Sequence, residues 1–246
     1  APRSTGLDTL SLHDALPSLG PETVVISLIN GLGNEDKLLK YHPANRCMIG
    51  SGSIGTVLDG PGMCTSYPNG GVVVNFGTIE TSSRSVEVGK QLEKYFNEGG
   101  AKAVFREDIL PLVWWKVIKN SSHSPVSAVL RLSIGDTDRC QYGRELYNRV
   151  IREGVAVAKA KGIQIMDADE FIAHDHEQCL ENGPYVNSMT QDVCWKKLPT
   201  EVDMLCGALS EQGKLVGVPT PTCDVLTLII KSIERNYDNQ LKDKPV

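Results

Sequence analysis

Thr23-Val24-Val25-Ile26-Ser27-Leu28-Ile29, closed by Asn30-Gly31-Leu32-Gly33-Asn34, is the stretch whose reading decides the fold. It is almost wholly apolar and rich in β-branched residues, which predicts a strand buried on both faces of a parallel sheet. The Asn-Gly turn then leads into a helix predicted from Glu35 to Tyr41. Ligands of open α/β sheets bind beyond the carboxyl ends of the strands, which would put Asn30 at the rim of a crevice. A plain Asn-Gly turn explains the same residues, so the pattern alone leaves the role of Asn30 open.

Downstream, Gly50-Ser51-Gly52-Ser53-Ile54-Gly55 satisfies G-x-G-x-x-G, but Thr56-Val57-Leu58-Asp59-Gly60-Pro61-Gly62 follows it and no helix opens there. A dinucleotide loop must open a helix, so residues 47–77 read instead as short, mostly antiparallel strands joined by Gly-rich turns. Ser82 to Phe96 predicts an amphipathic helix with Val88, Leu92, Tyr95 and Phe96 inward, and 101–105 a short strand. From Asp108 the pattern is helical: 108–121, continuing past Pro125 with a kink, then 137–161, 168–181, 184–196, 200–212 and 220–236. Three segments result: a non-native tail at 1–17, an α/β domain at 18–107 and an all-α domain at 108–246. Within the tail, Thr9 to Pro17 reads like the in-frame translation of a sequencing adapter.

With 246 residues and 41% hydrophobic content the chain can bury a substantial core. A net charge of -5 excludes the basic excess that nucleic acid or an anionic membrane would attract. The seven cysteines form no C-x-x-C pair or zinc-like spacing and read as reduced thiols of a cytoplasmic protein. No apolar run reaches the ~20 residues of a membrane span.

The helical half carries the candidate chemistry. In Trp114-Trp115-Lys116-Val117-Ile118-Lys119-Asn120, Lys116 and Asn120 share a helix face, an amine beside an amide. An ammonium can protonate a carbonyl oxygen as hydride reaches its carbon, while the amide orients that carbonyl. A solvated lysine is the ordinary explanation of the same spacing. Pro184 starts a predicted helix near Ser188, whose hydroxyl could receive a carboxylate. Thr200-Glu201-Val202-Asp203 has the form of a capping box, which accounts for Thr200 and Asp203 and leaves Glu201 free. His174-Asp175-His176 is spaced i, i+2 on a helix and reads as solvated surface, with no metal site. His123-Ser124 lacks a nucleophile elbow, which argues against hydrolase chemistry.

Five stretches in order resemble the ketopantoate reductase (2-dehydropantoate 2-reductase) family: 28–33, 115–120, Ser188-Met189-Thr190-Gln191-Asp192, 200–203 and Gly217-Val218-Pro219-Thr220-Pro221. The resemblance implies a Rossmann domain followed by an all-α C-terminal domain, reducing a 2-oxo acid to pantoate with NADPH on the way to coenzyme A. By position, Lys116 is similar to the catalytic lysine, and Glu201 to the acid that engages the substrate hydroxyl. Asn120 and Ser188 are similar to substrate-binding residues, and Asn30 to the Asn near the nicotinamide. Ser124 stands where the family usually has a second Asn, and as a substrate-binding residue it keeps a hydroxyl with a shorter reach. The first βαβ units with their phosphate loop are absent, roughly 60–80 residues at about 30 per unit, so the fold is expected to be an incomplete Rossmann remnant with impaired activity. The expected partner is a small 2-oxo acid, and a homodimer is left open. A sister reductase for another 2-oxo acid and a non-catalytic helical module are the alternatives.

Overall fold

In the computed structural model the described residues are 19–52, 55–67 and 73–240. The tail read at 1–17 and part of the Gly50–Gly55 motif lie outside them. The chain divides into two compact units between Val113 and Trp114.

In the first unit, β1 (Val25–Ser27) leads to α1 (Asn34–Leu39), followed by β2 (Cys47–Gly52), β3 (Gly55–Gly60), β4 (Met63–Tyr67) and β5 (Val73–Thr78). Helix α2 (Ser83–Glu98) and β6 (Lys102–Arg106) complete it. The main sheet has the order β1-β2-β5-β6, and β3-β4 form a separate hairpin. Pairing is parallel for β1-β2 and β5-β6, and antiparallel for β2-β5 and β3-β4. The antiparallel reading of 47–77 therefore holds for these pairs.

The strand at 23–29 is shorter than expected and is not buried on both faces. Only Val25–Ser27 pair, all of them half-buried, while Leu28 and Ile29 are exposed, Ile29 at 60%. Among the described strands β1 has one neighbour, β2, so its apolar side chains are covered from one side only. The core of this unit is Met48, Val74, Phe76 and Ala103, against which Val88 and Leu92 of α2 pack. Phe76 also meets the rings of Phe96 and Phe105 at 6.2 and 5.8 Å. Tyr95 and Phe96, both expected inward, are exposed, Tyr95 at 56%, and the Tyr95 hydroxyl accepts from Gln91. Gly50 serves strand pairing: a Cβ there would lie 2.3 Å from the Asn75 carbonyl oxygen and 2.8 Å from Phe76 Cβ. Its missing side chain lets β2 and β5 approach, which accounts for one glycine of the G-x-G-x-x-G string without any phosphate.

The second unit is helical. Helix α3 (Leu110–Leu130) begins just before it, and α4 (Ile134–Arg139), α5 (Gln141–Ala160), α6 (Ala168–Asn182) and α7 (Ser188–Gln191) follow. A π-turn at Asp192–Lys196, a 3₁₀ turn at Val202–Met204, α8 (Cys206–Val216) and α9 (Pro221–Glu234) complete it.

Helix α3 runs through Pro125, which has no N–H for the carbonyl of Ser121. The Cys206 thiol donates to that carbonyl instead, at 3.3 Å. The helix expected at 137–161 is two helices, because Ser133 caps α4 by accepting from the Asp136 amide and Cys140 turns the chain out of helical conformation. Gly154 of α5 lies against Ile118 of α3, where a Cβ would stand 2.7 Å from Cγ1. Pro221 opens α9, and the Glu153 carboxylate accepts the amides of Thr222 and Cys223 at 2.8 and 2.9 Å. An anion at a helix N-terminus satisfies orphan donors and complements the dipole, which ties α9 to α5.

Candidate active site

Lys116, Asn120 and Ser124 lie four residues apart on continuous helix α3 and so line one of its faces. Lys116 and Asn120 are half-buried and Ser124 is buried. Val117 and Ile118, buried beside Lys116, fix the rotation of the helix. Burial pushes the Lys116 ammonium below the usual lysine range, and the carboxylate of Glu201 pulls it back up. Glu201 keeps part of its surface in solvent, but the protein around its carboxyl raises its pKa, Asp192 raises it further, and Lys116 lowers it. The structure thus couples Lys116 electrostatically to Glu201, far apart in sequence. Asp192, last residue of the Ser188–Asp192 stretch, opens the π-turn and pairs with Lys196 at 3.0 Å. Nothing in the spacing of residues 188–192 points to this electrostatic part of Asp192.

Ser188 is the first residue of α7 and exposed. The helix is capped by Asn187, whose side-chain oxygen accepts the Thr190 amide at 2.9 Å, which leaves the Ser188 hydroxyl out of the cap. The capping box expected at Thr200–Asp203 does not form. The Thr200 amide and hydroxyl donate to Glu234 Oε1 at 2.7 and 2.6 Å, and Asp203 Oδ2 accepts Lys231 Nζ at 2.5 Å. Helix α8 begins only at Cys206, after the irregular Leu205. Short-range spacing could not foretell partners on α9.

Asn30 belongs to the first unit and is exposed beyond β1. Its loop is held by Asn34, whose amide donates to the carbonyls of Ile29, Asn30 and Gly31 at 3.2–3.3 Å. Gly31 and Gly33 take φ of 99° and 83°, a backbone glycine adopts without strain. Asn34 was legible as the second Asn of the loop but had no assigned part.

Asp175 is not on the solvated surface expected for 174–176: it is 1% exposed, while His174 and His176 face out. His123 Nε2 lies 2.8 Å from Asp175 Oδ1 and 3.3 Å from Cys179 Sγ. Arg144 Nη1 reaches Asp138 at 2.5 Å and Asp175 at 3.1 Å, and His176 meets Asp138 at 2.8 Å. Burial alone would raise the Asp175 pKa, but His123, Arg144 and Lys119 together hold it below the usual carboxylate range. His123, Asp175 and Cys179 offer donor atoms within 4.8 Å of one another. The two cations beside them, Arg144 and Lys119, oppose a divalent ion, and burial raises the Cys179 thiol. The cluster is a charge-compensated internal network.

Residues 108–234 match the family described as "Ketopantoate reductase PanE/ApbA C terminal", and residues 6–80 match "Ketopantoate reductase PanE/ApbA". The chain belongs to the ketopantoate reductase PanE/ApbA family. A 2-dehydropantoate 2-reductase of Pyrococcus horikoshii is 30% identical over 228 residues, covering 91% of this chain and 72% of the relative. One from Streptococcus pyogenes serotype M3 (strain ATCC BAA-595 / MGAS315) is 28% identical over 223 residues, with 91% and 71% covered. A solved D-mandelate dehydrogenase with NADH and anilino(oxo)acetate superposes with a TM-score of 0.83 at 27% identity, covering 93% of this chain and 72% of that one. The family fold is an α/β Rossmann-type unit followed by an all-α unit, in agreement with the element order above.

Proposed function

We propose that the protein reduces 2-dehydropantoate to pantoate with NADPH, in the cytoplasm, as a step toward pantothenate and coenzyme A. The observation that carries this reading is the half-buried Lys116 coupled to Glu201 on an α3 face that also bears Asn120. Family membership and relatives that bear the 2-dehydropantoate 2-reductase name support the substrate class. We further propose that residues 18–107 form the nucleotide-binding domain and 108–246 the substrate domain.

In this proposal Lys116 donates a proton to the carbonyl oxygen of the 2-oxo acid. Its positive charge stabilises the alkoxide that develops there, more strongly because burial thins the surrounding water. Glu201 holds the ammonium in place and engages the substrate hydroxyl. The Asn120 amide orients the carbonyl, and the exposed Ser188 hydroxyl binds the carboxylate. Asn30, exposed on a loop braced by Asn34, suits contact with the nicotinamide, which when bound supplies the hydride. The exposed apolar side chains Val225, Leu228 and Ile229 on α9 accompany a proposed homodimer, which sedimentation would test.

A second reading rests on Ser124. Its buried hydroxyl is shorter than the Asn amide the family usually places there, and the similar D-mandelate dehydrogenase indicates a fold that serves other 2-oxo acids. Initial rates of NADPH and NADH oxidation with 2-dehydropantoate and with the 2-oxo acid corresponding to mandelate separate the two. Faster turnover of 2-dehydropantoate supports the main reading, and preference for the aromatic acid supports the second. Failure to bind either nucleotide by a folded chain would favour a non-catalytic module. Among the described residues no helix is long and apolar enough to cross a membrane.

A further inference from the structure

The geometry points to Glu234, on the last turn of α9, as a positioning residue for Glu201. The inference rests on the proposed role of Glu201 beside Lys116. Glu201 sits between two residues that are both fastened to α9. On its N-terminal side Thr200 donates its amide and its hydroxyl to one oxygen of Glu234, at 2.7 and 2.6 Å. On its C-terminal side Asp203 Oδ2 accepts Lys231 Nζ at 2.5 Å. Lys231 also faces the second oxygen of Glu234 at 3.6 Å, which closes the frame.

The Glu234 side chain is only 11% exposed, so it is held among protein atoms and does not sway in solvent. The segment it grips has little regular structure of its own. Residues 197–200 carry no helix, Val202–Met204 is a single 3₁₀ turn without a side-chain cap, and Leu205 is irregular. A carboxylate on such a segment would sample many positions unless anchored from outside. Two charge-assisted bonds from Thr200 to Glu234, and the ion pair from Asp203 to Lys231, supply that anchor across 34 and 28 residues of sequence. Thr200, Asp203, Lys231 and Glu234 pair with one another, while Glu201, carried between them, acts electrostatically on Lys116. Glu234 therefore acts through Glu201 and touches no reacting atom.

The test reads Lys116 directly, by ¹⁵N-lysine NMR titration of the whole chain with the resonance assigned by Lys116→Arg. Glu201→Gln removes the negative charge and lowers the Lys116 pKa. Glu234→Ala, which breaks both Thr200 bonds, lowers it in the same direction. Glu234→Gln keeps an acceptor oxygen for both bonds and leaves it at the wild-type value. Equal shifts from Glu234→Ala and Glu234→Gln would mean that the charge of Glu234 acts at a distance, and would overturn the inference. No shift from Glu234→Ala, with a clear one from Glu201→Gln, would overturn it and leave the proposed function standing. No shift from Glu201→Gln would remove the Lys116–Glu201 pairing itself, and both would fall. Thr200→Val, neutral and nearly isosteric, removes only the hydroxyl link and gives a smaller shift of the same sign if Glu234→Ala fails to fold. In turnover, Glu234→Ala is expected to raise KM for the 2-oxo acid about tenfold, the scale of one lost charge-assisted bond, with the KM for nucleotide unchanged.

Discussion

Arg144→Met should destabilise the helical unit by about 3–5 kcal/mol, the scale for removing one partner of a buried ion pair. Arg144 donates three hydrogen bonds: to Asp138 Oδ1 at 2.5 Å, Asp175 Oδ2 at 3.1 Å and the Ile172 carbonyl at 2.9 Å. Bonds to a charged group contribute about 1.5–3 kcal/mol each, so a simple sum would be about 4.5–9 kcal/mol. His176 beside Asp138 and His123 beside Asp175 remain as partial partners, which brings the expectation below that sum, to the scale of about 3–5 kcal/mol. A typical domain has only about 5–15 kcal/mol in hand, so the loss would be plain in a urea titration followed by far-UV circular dichroism. The pH dependence carries a sign. The Asp175 pKa is depressed in the folded wild type, so its contribution is complete above the unfolded value of about 3.9 and disappears as pH falls through the folded value. The deficit of Arg144→Met should therefore be full at pH 7 and shrink below about pH 4. Asp138→Asn added to Arg144→Met should recover part of the loss, because it removes a buried charge left without its guanidinium. A loss under about 1 kcal/mol, or a double variant whose losses simply add, would refute the network as a stabilising element.

Other outcomes follow from the same geometry. Glu201→Gln should move the alkaline fall of kcat/KM to lower pH, since the negative charge that raises the Lys116 pKa is gone; a pH–rate profile with an unmoved or upward-moved limb would contradict the pairing. Glu201→Ala should weaken binding of the 2-oxo acid more than of NADPH, and equal losses by calorimetry would make its role structural. Glu153→Ala should cost about 2–4 kcal/mol in chemical denaturation by orphaning the Thr222 and Cys223 amides, with Glu153→Gln losing less; equal losses would argue that packing and not the anion matters. Gly50→Ala should cost about 1–3 kcal/mol or more, because its Cβ meets the Asn75 carbonyl of a neighbouring strand; a neutral effect on Tm would show that the β2–β5 pairing tolerates displacement.

Periodicity revealed the helices of the second unit and the face shared by Lys116, Asn120 and Ser124, because both are local properties of a 3.6-residue repeat. It also exposed the G-x-G-x-x-G string as a poor phosphate loop, and the structure adds the reason for Gly50. Three features escaped it, two of them governed by residues distant in sequence and one by a local break. The half-exposure of β1 depends on how many strands flank it, which its own apolar run cannot express. The break of 137–161 at Cys140 was signalled by Ser133 and Asp136, a cap with a helix period on both sides. The partners of Thr200 and Asp203 lie on α9, so a box motif that satisfied every local rule was still the wrong assignment. Asp175, hidden between two exposed histidines, shows the same limit: an i, i+2 spacing tells that neighbours face apart, but not which one faces Arg144.

The central claim is that Lys116 is the proton donor of a 2-oxo acid reduction. NADPH oxidation at saturating 2-dehydropantoate, compared between the chain and its Lys116→Ala variant, tests it most directly. The account predicts a kcat at least about 10²-fold lower in the variant than in the wild type, the usual scale for a general acid, with KM changed far less. A loss below tenfold, or one confined to KM, would contradict it.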